Sequence, residues 1–291
     1  MNLVSFGRKN IIKTGALFLG FFIFVVGFGY FFSYIFGSAN ILYFAVIFSA
    51  SMSFISYWFS DKIILAMSKA KSVSPQSSPE IYGIIRNLCQ KAGLPPPRIY
   101  IIEERQPNAF ATGRDEKHAA VALTRGLLEK LNKEEVEGVL GHEISHIKNK
   151  DMLIATFVVV LVGFVAILSR MFLWSSILGG RKNSQERGLL PLVGLLLSVL
   201  APLSAMLIQL AISRKRELLA DASGALLTRN PEGLAMALEK ISSDRTPMMA
   251  AQEATSHLFI ANPFKGEELI KLFMSHPPIE ERIKALREMN I

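Results

Sequence analysis

Residues 14 to 60 contain no Asp, Glu, Lys or Arg. An uncharged, mostly apolar run of 47 residues is long enough for two helices of about 20 residues each across a bilayer core. A break at Gly37-Ser38-Ala39-Asn40 divides it, which predicts one span near 14–36 and a second near 41–60. The first run is too long for the apolar part of a signal peptide, and a second span follows at once. Arg8, Lys9 and Lys13 precede the pair, Lys62, Lys69 and Lys71 follow it, and the connection is uncharged. Basic flanks stay on the cytoplasmic side, so both ends of the pair are expected there. The net charge of +8 is ascribed to such flanks. Nucleic-acid binding is not expected, because the polar parts hold no basic run interleaved with aromatics.

Two further uncharged stretches, 152–169 and 188–213, bring the expected membrane helices to about four. Their length argues against buried core helices of a soluble domain. The polar segment between them, 179–187, carries Arg181, Lys182 and Arg187 against Glu186. If this hairpin crosses fully, its basic loop lies outside, against the charge rule; a hairpin partly buried in protein or interface is the alternative. The single Cys89 excludes an internal disulfide framework, fits a reducing compartment, and suits a small apolar packing role on a helix.

The polar remainder is mixed. Ser72–Ser78 reads as a linker and Pro79–Gly93 as an amphipathic helix. Arg98–Ile102 and His118–Leu123 read as strands from their β-branched and aromatic content. Pro107–Gly113 between them reads as a short extended or turn segment. Helices are expected over Thr124–Leu131, Lys133–Asn149, Arg214–Leu227, from Pro231 onward, Gly266–Met274 and Ile279–Met289.

The segment Lys133–Asn149 carries His142-Glu143-Ile144-Ser145-His146. Positions i and i+4 share a helix face, so both imidazoles can converge on one ion, with Glu143 beside them to take a proton from a metal-bound water. At this chain's own His and Glu frequencies a chance match is expected roughly 0.006 times. Val136, Val139, Leu140 and Ile144 supply an apolar stripe at helical spacing. A catalytic zinc takes three protein ligands and keeps one open position. His118, His257 and His276 remain, but Glu217 is the better third ligand: a carboxylate suits zinc beside two imidazoles. Asp221 stands one turn on, placed to accept a hydrogen bond from a ligand imidazole.

The order Asn108-Ala109-Phe110-Ala111, then His142–His146 with Asn149 and Asp151, then Arg214 leading to Glu217 and Asp221, then His276-Pro277-Pro278 with Glu281-Arg282, resembles the HtpX branch of the Ste24-like M48 metallopeptidases. The resemblance implies an α+β, mainly helical fold. In it a gluzincin-like metallopeptidase domain with a small β-sheet joins about four transmembrane or hydrophobic helices. It implies one Zn2+ held by His142, His146 and Glu217, and Glu143 as general base. It implies a bacterial inner-membrane endopeptidase for misfolded or membrane proteins in stress-linked quality control, its catalytic domain facing the cytoplasm. Asn108, Ala109, Phe110 and Ala111 match the segment on which substrate lies as an added strand. His276, with Arg214 or Arg282, is a candidate to stabilise the oxyanion. The expected division is two membrane helices over 1–60, half a peptidase domain over 61–151, a hydrophobic hairpin over 152–213, and the other half over 214–291. Two other classes compete. A structural zinc site has no need of an adjacent base such as Glu143. A coupled transporter would usually carry ionisable groups in its spans, and these have only Arg170.

Overall fold

Two long helices open the chain, α1 (Leu3–Phe36) and α2 (Ala39–Met67), joined at Gly37, whose φ of +62° suits a residue without Cβ. The computed structural model describes residues 3–162, 214–248, 255–261 and 277–290. Among these, Asn10–Tyr34 and Ala39–Met67 are long and apolar enough to cross a membrane. They pack on each other but leave Leu19, Ile23, Tyr30, Tyr43, Phe44 and Ile47 exposed. A core helix would hide such side chains, and an apolar surface of this extent asks for a partner or a bilayer. The second helix runs past the expected end at residue 60, through Asp61 and Lys62 to Met67. Asp61 there is buried and paired with Arg98, which ties the helical hairpin to the sheet.

The sheet has four strands in the order β1-β2-β4-β3: β1 (Lys71–Ser72), β2 (Arg98–Ile102), β3 (Ala109–Thr112) and β4 (Ala120–Thr124). The central β2–β4 pair is parallel and the two outer pairs are antiparallel. Two expectations change here, and the extended reading of 107–113 is borne out. Lys71–Ser72 pairs with Ile101 and Tyr100, so the linker begins one residue later than expected. The segment 107–113 contains a strand. His118 belongs to a short 3-10 turn (Glu116–His118) capped by Asp115, and the strand starts at Ala120.

Apart from β1 and Arg98, which are exposed, the sheet is covered on both faces. Ile99, Ile101, Ala109, Ala111, Val121 and Leu123 look into one core. Helices α3 (Pro79–Ala92), α5 (Lys133–Lys148), α7 (Arg214–Thr228), α8 (Pro231–Ser243) and α9 (Ile279–Arg287) contribute to it. Ile102, Phe110, Ala120 and Ala122 look the other way, onto Ile64 and Leu65 of α2 and Val158 and Val159 of α6 (Met152–Val162). The short α4 (Arg125–Lys130) follows β4 directly. The described part of the third apolar stretch, α6, is buried, and its Phe157 ring packs 3.8 Å from Phe18 of α1. The rest of that stretch, the stretch 188–213, the loop 179–187 and the expected helix Gly266–Met274 lie outside the described residues.

Candidate metal centre

Helix α5 starts with a reciprocal cap. Asn132 accepts from the Glu135 N–H, and the Glu135 side chain accepts from the Asn132 N–H. Glu135 also holds Lys240 of α8 at 2.8 Å. Anchored in this way, α5 runs through the core with His142, Glu143 and His146 on the side facing α7 and β3. The crossing with α7 is unusually close. A Cβ on Gly224 would lie 2.7 Å from the His142 backbone nitrogen, and one on Gly141 would lie 3.1 Å from the Gly224 carbonyl. That contact brings Glu217, two turns before Gly224, onto the two histidines.

The Nε2 atoms of His142 and His146 are 3.1 Å apart, and they lie 3.7 and 3.6 Å from the two Glu217 carboxylate oxygens. With metal–nitrogen and metal–oxygen bonds of about 2.0–2.1 Å, tetrahedral ligands stand about 3.3–3.4 Å apart. The donor set also fits a cation chemically. His142 Nδ1 meets Asp221 Oδ1 at 2.8 Å and His146 Nδ1 meets Asp151 Oδ2 at 3.1 Å. Each carboxylate takes an Nδ1–H, so both Nε2 lone pairs point at each other and at a carboxylate. A metal cation between them would satisfy that arrangement.

Titration of the site reflects the same charge balance. Burial drives the His142 imidazole down to about 4, so it is neutral. Burial acts in the same direction on His146, but Glu217, Asp151 and Glu143 surround it and lift it to about 9. That proton occupies the position of a metal's charge. Burial raises Glu143 to about 7, assisted by Glu217 and opposed by His146, Arg282 and the Ala111 backbone N–H. Burial would also raise Asp221, but Arg282 prevails and holds it at about 2.

Arg282 is fully buried and grips Asp221 with two hydrogen bonds, Nε to Oδ2 at 2.8 Å and Nη2 to Oδ1 at 2.7 Å. It therefore sits on the Nδ1 side of His142, away from the Nε2 that faces Glu217. Its expected oxyanion role is replaced by one behind the ligand. Arg214 is exposed at the start of α7, and His276 lies outside the described residues. Sequence reasoning gave no role to Asp151. Helix α5 ends in a Schellman turn: Lys150 N–H bonds the Ile147 carbonyl, and Asp151 N–H bonds the His146 carbonyl. Lys150 takes φ +56° to make it. The contact between the last and first residues of such a turn is usually apolar; here it is Asp151 to His146. His257 was considered only as a ligand. It lines the same cavity of about 40 Å3 beside Ala111, Met152, Ala155 and Arg216, with Nε2 3.3 Å from the Ala155 carbonyl.

Strand β3 passes the ligands at its outer edge. Ala111 borders the cavity; Asn108, Ala109 and Phe110 are buried and do not line it. Part of that edge is taken by the chain itself: Ile260 N–H donates to the Ala109 carbonyl at 3.0 Å, and Asn108 Nδ2 to the Ala261 carbonyl at 2.9 Å.

The sequence model for peptidase family M48 matches residues 75–290. A relative described as a protease HtpX homolog, from Thermococcus kodakarensis, is 45% identical over 99% of this chain and 97% of its own length. Another so described, from Desulforapulum autotrophicum, is 49% identical over 84% of this chain and 79% of its own. The crystal structure of S. mikatae Ste24p is similar with a TM-score of 0.51 at 19% identity, covering 97% of this chain and 67% of that one. This last likeness concerns the fold.

Proposed function

The chain belongs to peptidase family M48 and is a metallopeptidase, and on that premise we propose that it is a membrane-bound zinc endopeptidase of misfolded or membrane proteins. The observation that carries the reading is the convergence of His142, His146 and Glu217, with donor atoms within 4.8 Å of one another, beside a buried Glu143 whose carboxyl holds its proton up to about pH 7. Zinc, when bound by these three side chains, supplies a Lewis acid that polarises water and carbonyl oxygen. Glu143 takes the proton of the attacking water and passes it to the leaving amine, a transfer that works best when the carrier's pKa is near the working pH. Asp221 and Asp151 keep the two imidazoles in the Nδ1–H tautomer, with Nε2 free for the ion. Substrate lies extended beside Ala111, beyond the part of the β3 edge that Ile260 and Ala261 take, and main-chain hydrogen bonds there demand little of the side chains.

The long apolar helices α1 and α2 support anchoring in a bilayer, and the basic flanks support a catalytic domain on the cytoplasmic side of the inner membrane. Quality control under stress follows from weak sequence preference next to a membrane. Elemental analysis and casein cleavage by detergent-purified protein test the reading. Parent protein binds one zinc and cleaves. Glu143→Gln keeps the zinc and cleaves at least 100-fold more slowly. Glu217→Ala loses the zinc, whereas Glu80→Ala, on an exposed helix start, does not. Full zinc in Glu217→Ala, or parent-like cleavage by Glu143→Gln, contradicts it.

A further inference from the structure

Asp151 is held from three sides. Its Oδ2 meets His146 Nδ1 at 3.1 Å, Arg216 Nη1 lies 3.7 Å from its Oδ1, and Asn10 Nδ2 donates to that Oδ1 at 2.6 Å. The same Asn10 amide donates to the Asn149 carbonyl at 3.0 Å. Asn149 is the C-terminal cap of α5, and carbonyls there lack partners within the helix. Both hydrogens of one amide are thus spent on the end of the metal-bearing helix and on the carboxylate behind a metal ligand.

Asn10 is 3% exposed and begins the apolar stretch Asn10–Tyr34 of α1. A buried amide in such a helix is costly unless its hydrogen bonds are made. The contact spans 141 positions in sequence, so local folding does not create it. Thr14, one turn on and also buried, bonds the Asn10 carbonyl at 2.8 Å. A neutral donor suits the position: it orients Asp151 and leaves the carboxylate its charge, which the His146 imidazole needs.

We propose that Asn10 is a positioning residue of the metal centre, fixing Asp151 and through it the ring of His146, so that the first apolar helix is part of the site's support. This rests on the zinc reading above. Removal of such a support typically weakens metal binding by 10–100-fold.

The test uses the full chain in detergent. Zinc affinity is measured by chelator competition, and ligand geometry by the visible absorption of the cobalt-substituted protein. Asn10→Leu keeps the branched shape and removes the donor. It should weaken zinc binding about 10-fold or more and shift the cobalt bands. In an Asp151→Asn background the same change should add nothing, because Asn10 acts through Asp151. Asn10→Ser, too short to reach Asp151, gives the same reading if the leucine protein does not fold. Thr14→Val should leave the cobalt bands unmoved. Parent-like affinity and spectrum in Asn10→Leu, or an equal loss in the Asp151→Asn background, overturns the proposal alone. A parent protein that binds no zinc overturns the zinc reading with it.

Discussion

Glu143 shows what the site costs the fold. Its carboxyl is buried beside Glu217, and burial carries its pKa from the usual carboxylate value to about 7. At pH 4 the group is protonated folded or unfolded, and contributes nothing. As pH rises, the unfolded chain releases this proton first, so the folded state binds more protons and loses stability through the window up to about 7. Glutamine has no such window. In metal-stripped protein, Glu143→Gln should therefore raise the unfolding temperature at pH 8 and change it little at pH 5; equal shifts at both pH values would contradict the burial argument. At this scale the convergence of His142 and His146 was legible, because side chains four apart on a helix must share a face. Asp151 was not. Its place depends on Lys150 adopting a left-handed backbone, which a lysine does not announce. Asn10 was equally hidden, since its partner lies 141 positions away.

Between elements, the decisive feature is the crossing of α5 and α7 at Gly141 and Gly224. A methyl group on Gly224 would meet backbone atoms of Gly141 and His142 at 2.9 and 2.7 Å, and backbone cannot rotate away. Gly224→Ala should force the helices apart, weaken zinc binding by about 10-fold or more and destabilise the protein by about 1–3 kcal/mol. Gly83→Ala, in α3 with nothing within 4 Å of the new methyl, should be neutral or stabilising by up to about 1 kcal/mol. Chelator competition and thermal unfolding distinguish them; similar losses in both would show that the crossing is not specially tight. The helices themselves were readable from apolar spacing. Strand β3 was harder: its four residues are all buried, so no alternation of polar and apolar side chains marks them. His118 was drawn into a strand by its neighbours, whereas Asp115 accepts from the Lys117 and His118 N–H groups and fixes a turn instead.

For the whole molecule, His142 and His146 precede the region 163–213 and Glu217 follows it. An ion held by all three, as proposed above, would put Val162 and Arg214 on one side of any membrane. Lys71 and Glu288 are both exposed and belong to the domain so formed. Single cysteines at these positions, in a Cys89→Ala background, should both resist an impermeant maleimide in intact cells and react after lysis. Labelling of one alone would contradict a shared side, and labelling of both would reverse the orientation. The close packing of Arg282 against Asp221 has a consequence in time. Support for His142 comes from a residue of the last described helix, while support for His146 comes from the first. During synthesis the histidines emerge long before Arg282, so a growing chain carries the motif without the means to hold it in order. A ribosome-released chain ending before Ile279 should retain little zinc, and proteolysis should begin only once α9 docks.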